Sequence, residues 1–129
     1  MVSKSVPVVK GKTERETAER IAKLAVSPEM SSQRVVAASE RDKGLDDYLD
    51  IPQLMAVLKA ESGRLSEGKS EDVGPILANQ AIALQSLFAR LTERALSQNS
   101  MSNIEAFMKL ALRAQNQCRA TLEALAAIN

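Results

Sequence analysis

Two stretches near the C-terminus carry a regular apolar rhythm. Leu77, Ala81, Leu84, Phe88, Leu91 and Ala95 step by alternating four and three residues, and so do Ile104, Met108, Ala111, Gln115, Cys118, Leu122 and Leu125. That spacing keeps one seam of a helix apolar over nearly three heptads. Phe107, Leu110 and Ala114 widen the second stripe on one flank. The pattern predicts a helix from Pro75 to about Gln98 and another from Ser102 to Ile128, with Ser102 and Glu105 as the capping box of the second. The turn between them is short, which makes the helices antiparallel neighbours.

Upstream the elements are shorter. Thr13 and Glu16 form a capping box ahead of Ala18, Ile21, Ala22 and Ala25. Ser27-Pro28 ends that helix and starts the next, with Pro at the first helical position, where no amide is required. Val35, Val36 and Ala38 give the second helix a small apolar face, and Lys43-Gly44 reads as its end, with Gly44 left-handed. Asp50 caps a third helix beginning at Ile51-Pro52, whose face runs through Leu54, Met55, Leu58 and Leu65 and which Gly63 weakens near its end.

The fold expected is all-α, a long antiparallel C-terminal hairpin with shorter N-terminal helices packed on it. Its parts are a disordered basic arm over 1–12, short helices over 13–66, a linker over 67–74 and the hairpin over 75–129. At about 1.5 Å per residue the last helix is on the order of 40 Å long. A compact domain of this size has a radius of gyration of about 14 Å. The reading therefore favours an elongated molecule that associates with itself.

Composition sharpens this. The chain has 129 residues, 45% apolar and 26% charged, with 2% aromatic, 5 Gly and 4 Pro. A β-sandwich or barrel ordinarily carries more aromatic residues and more turns. There is no His and only one Cys, which removes the commonest general base and any internal disulfide or multi-cysteine metal site. No Walker loop, dinucleotide fingerprint or nucleophile elbow occurs, so no enzyme and no cofactor is expected. Cys118, on the apolar seam, reads as a small buried hydrophobe. Asp46, Asp47 and Asp50 lack the glycine and distal glutamate of a calcium loop and read as caps and solvated charge. No secretory signal or 18-residue apolar run is present, so no membrane is expected and the cytoplasm is the expected compartment.

Net charge is +1, divided as +2 in residues 75–129 and −1 in residues 1–74. The hairpin's cations, Arg90, Arg94, Lys109, Arg113 and Arg119, fall in pairs four apart or stand alone, as a solvated face does. The candidate oligomer seam is Leu77, Leu84, Phe88, Leu91, Ile104, Met108, Gln115, Leu122 and Leu125. Gln115 either fixes register within it or sits at its rim. The partner expected is a second copy or another helical protein. Duplex DNA is the alternative. The first two helices would then act as a helix-turn-helix presenting Ser31, Ser32, Gln33 and Arg34, with Lys4, Lys10, Lys12 and Arg34 as the cationic contacts.

The segment from about Leu49 to Asn129 resembles a family of small, functionally uncharacterised bacterial proteins found in prophages and integrated mobile elements. The resemblance rests on ANQAIALQSLFARLTERA, on MKLALRAQNQCRATLEALAAIN, and most of all on the run LALRAQNQCRATLEAL at Leu110 to Leu125. It implies an origin in mobile DNA and a chain shorter than most members. It carries over no site residues.

Overall fold

The computed structural model describes residues 2–129. Five α-helices follow one another, α1 Glu14–Ala25, α2 Pro28–Ser39, α3 Ile51–Leu65, α4 Gly74–Leu96 and α5 Met101–Ala127, with a single 3-10 turn at Asp46–Tyr48. No strand occurs among the described residues. α4 and α5 form the expected antiparallel hairpin, and α2 and α3 pack on α4 and on each other. α4 is thus the central helix, and α5 packs chiefly on α4.

Local chemistry sets most of the boundaries. Thr13 accepts a hydrogen bond from the Glu16 amide, Ser27 from Met30 and Asp50 from Gln53, so three predicted caps are in place. The fourth is shifted. Ser100, not Ser102, caps α5 by accepting from the Asn103 amide, which adds two residues, Met101 and Ser102, to the helix. α2 stops at Ser39, four residues before the predicted end. The left-handed positions are Asp42 (φ 56°) and Lys43 (φ 68°), not Gly44. Gly44 is needed for a different reason. A Cβ there would run into the Glu40 carbonyl, so the glycine permits the chain to turn back tightly on the end of α2.

The predicted linker, residues 67–74, is a tight joint rather than a tether. Lys69 in it reaches across to the end of α5, where its ammonium donates to the carbonyls of Ala126 (3.0 Å) and Ile128 (2.9 Å). These are carbonyls that a helix end leaves without partners, and a cation there also suits the helix dipole.

Residues 2–12, expected as a disordered arm, lie against the body. The Ser3 amide donates to Asp50 (2.8 Å), and the Ser3 carbonyl accepts from the Ile51 amide (2.8 Å). Lys4 donates to the carbonyls of Asp46 and Leu49. Further on, Arg20 donates to the carbonyls of Val9 (3.0 Å) and Lys10 (3.2 Å). Composition gives no hint of this, because each bond uses a backbone group on at least one side and its partner lies ten to forty-eight residues away.

The core is narrow. The buried apolar residues are Val36, Ile51, Leu58 and Leu125, with Cys118 and six alanines, Ala78, Ala81, Ala83, Ala95, Ala111 and Ala114. Small residues let α4 and α5 approach closely, but they remove little apolar area from water. α1 contributes nothing to this core. Its stripe stays open, with Ile21 52% exposed and only Leu24 half-buried.

Candidate interaction surface

The predicted oligomer seam divides in the structure. Leu77, Leu84, Phe88, Leu91, Ile104 and Met108 are half-buried, and Leu125 is buried, along the contact of α4 with α5. Leu91 also lines a groove with Arg34, Val35 and Ala38 of α2. Gln115 and Leu122 are exposed. The inner line of α5 runs instead through Ala111, Ala114 and Cys118. The Cys118 thiol lies 3.4 Å from the Ala81 carbonyl, and burial pushes its pKa up. Two residues of this inner line, Ala111 and Cys118, lie on the predicted seam, and Ala114 on its predicted flank. Spacing alone gave Gln115 and Leu122 an equal claim to it, because adjacent heptad stripes share the same periods.

One flank of the hairpin is open. A groove of about 390 Å³ runs between α4 and α5, lined by Gln85, Gln115, Cys118, Leu122 and their neighbours. A second, of about 350 Å³, adjoins it and is almost wholly apolar, lined by Leu65, Ala81, Ile82 and Leu122 among others. Farther along α5, Met101 is 67% and Leu112 47% exposed. At the same end of the hairpin the Arg94 guanidinium stacks 5.4 Å from the centre of the Phe107 ring, stitching the opposite flank of α5 to α4.

The total surface gives these patches weight. The chain exposes 8834 Å². A compact monomer of its mass exposes about 6700 Å² by the usual size scaling. The excess is on the order of 2000 Å², more than one partner's share of a standard protein interface.

The cationic residues are distributed otherwise than a duplex reader requires. Ser32 and Gln33 of α2 are buried. The Ser32 hydroxyl donates to the Asn79 carbonyl (3.1 Å), and the Gln33 amide contacts the Met30 sulfur (3.1 Å). Of the four residues that were to read bases, Ser32 thus faces α4 and Gln33 lines the groove beside α1, while Ser31 and Arg34 are exposed, as are Val35 and Ala38, predicted inside. Lys4 and Arg34 line one groove of about 970 Å³ between the arm, α1 and α2, with Arg41 and Asp46. Lys10 and Lys12 are exposed away from it. Arg34 also lines a smaller groove of about 420 Å³ with Arg90 and Arg94.

Arg90 is the residue the sequence reading undervalued. It is 8% exposed, and its guanidinium donates to the carbonyls of Arg41 (3.0 Å) and Asp42, holding the turn that leaves α2. Its Nε is buried without a partner. As a member of a solvated stripe it looked like any surface arginine; only the return of the Asp42 turn onto α4 buries it.

Among the described residues no group of three acidic or thiol side chains is placed to hold a metal, and no helix is long and apolar enough to cross a membrane. The chain matches no family model, no curated protein and no solved structure.

Proposed function

We propose that this chain is a non-enzymatic helical interaction module that completes its core by assembly, with a second copy or another helical protein covering the open flank of the hairpin. The excess of exposed surface over that of a compact monomer carries the reading. The flank of the hairpin contributes Met101, Leu112 and Leu122 to that exposed apolar surface. An alanine-lined hairpin holds its own two helices together yet leaves large side chains such as Met101, Leu112 and Leu122 at the edge, and burying them on a neighbour is a further source of hydrophobic stabilisation. The resemblance of residues 49–129 to proteins of prophages and mobile elements suggests the setting, an adaptor or scaffold of a phage-derived system.

Duplex DNA as the partner is the weaker reading, because Ser32 and Gln33 are buried and Lys4 is engaged by backbone carbonyls.

Size-exclusion chromatography with light scattering, at low and moderate salt, tests the proposal alongside affinity capture. The outcome expected is a discrete oligomer or a stoichiometric complex with a helical protein. A strict monomer at high micromolar concentration that retains no partner would refute it.

A further inference from the structure

The exposed stripe of α5 is patterned for one particular occupant. Met101, Glu105, Leu112, Gln115, Arg119 and Leu122, with the half-buried Met108 between Glu105 and Leu112, follow the four-three spacing of a second heptad seam, rotated away from the line of Ala111, Ala114 and Cys118 that faces α4. Glu105, Leu112 and Arg119 are seven residues apart, so they stand almost directly above one another on the helix. All three are exposed. Among the described residues neither Glu105 nor Arg119 takes part in an ion pair, although other charged pairs on the chain do, as at Arg20–Glu16 and Arg64–Glu61.

We infer that a second copy of this chain docks its own α5 on this stripe, antiparallel, with the two-fold axis passing at Leu112. The inference rests on the assembly reading above and names its partner and geometry. A two-fold interface uses the same patch on both subunits, so the patch must be complementary to itself. With the axis at Leu112, residues equally distant from it meet. Leu112 packs on Leu112 of the second copy. Glu105 meets the second copy's Arg119, and Arg119 its Glu105. Leu122 comes beside the second copy's Met101. A parallel arrangement would set Glu105 against Glu105 and Arg119 against Arg119. The charges therefore select orientation and register, while the apolar positions supply the affinity. The grooves beside Leu122 lie on this same flank, where the approaching helix would fill them.

Charge reversal with reciprocal rescue tests this. Glu105→Arg and Arg119→Glu are each measured by sedimentation equilibrium beside the wild type, the double variant E105R/R119E and an equimolar mixture of the two single variants. The positions are exposed, and circular dichroism checks that each variant keeps its helix content. The wild type is expected to dimerise. Each single variant should weaken self-association by about tenfold or more, since both ion pairs become repulsive. The mixture and the double variant should restore it, because every Glu then faces an Arg again. Leu112→Cys should form a disulfide-linked dimer on oxidation, whereas Arg113→Cys, one position round the helix, should not. An oligomer indifferent to the reversals, or a mixture that fails to rescue, overturns the antiparallel docking and leaves the broader assembly reading standing. A wild-type monomer at all concentrations overturns the inference as well, and affinity capture then decides whether the broader reading falls with it.

Discussion

At the scale of single residues, two side chains hold distant segments together, and neither does so through its charge alone. Arg90 places one guanidinium nitrogen, Nη2, beneath the α2 exit turn, where it donates to both carbonyls. Arg90→Ala is expected to cost about 2–3 kcal/mol, because the carbonyls of Arg41 and Asp42 lose a charged donor. Arg90→Lys should recover only part of that, since a lysine ammonium lacks the second amino group that stands 3.7 Å from the Glu93 carboxylate. Urea denaturation measures both. Asp50 joins the arm to α3. Amide donors from Ser3 and then Gln53 hold its carboxyl below the ordinary value of 3.8. A depressed carboxylate contributes its full stabilisation above the unfolded-state value and loses it as the pH falls through the lower folded value. The melting temperature is therefore expected to fall more steeply below about pH 4 in the wild type than in Asp50→Asn, which keeps an acceptor but has no proton to gain.

At the scale of elements, caps and prolines placed most of the helix starts, and tertiary contacts placed the ends. Gly63 lies inside α3, where a Cβ would meet nothing within 4 Å. Gly63→Ala should accordingly raise stability by about 0.5–1 kcal/mol, seen as a higher denaturation midpoint at unchanged slope, since alanine restricts the unfolded chain and favours the helix. A loss of stability would mean that the helix there is held less regularly than its backbone bonds show. The end of α5 depends on Lys69, fifty-nine residues before Ile128, and no local pattern could have named that partner.

For the molecule as a whole, stability and association are one equilibrium. If α5 completes its packing on a second copy, the melting temperature rises with protein concentration, because only the folded chain dimerises. Leu112→Asp should remove that dependence while leaving the low-concentration melting temperature nearly unchanged, as Leu112 is 47% exposed in the single chain. A concentration-independent melt in the wild type would argue that the thin core is sufficient by itself. Salt should weaken association only modestly, as the two Glu105–Arg119 pairs are few and screened while the apolar contacts are not.

The sequence by itself determined the helical class, the five helices and the hairpin. Each follows from interactions within a few residues, namely the apolar period, a capping side chain or a proline's missing amide. It placed Ala111 and Cys118 on one seam with Gln115 and Leu122, and Ala114 on its flank, without showing which of them face α4. Only the tertiary structure decided that, together with the docking of residues 2–12, the burial of Ser32, Gln33 and Arg90, and the left-handed turn at Asp42 and Lys43. The physical reason is common to all of them. A helix with apolar residues on more than one stripe does not select which stripe it buries, and a polar side chain does not announce a partner forty residues away. Both choices are made when α4 becomes the central helix and its neighbours occupy the faces around it.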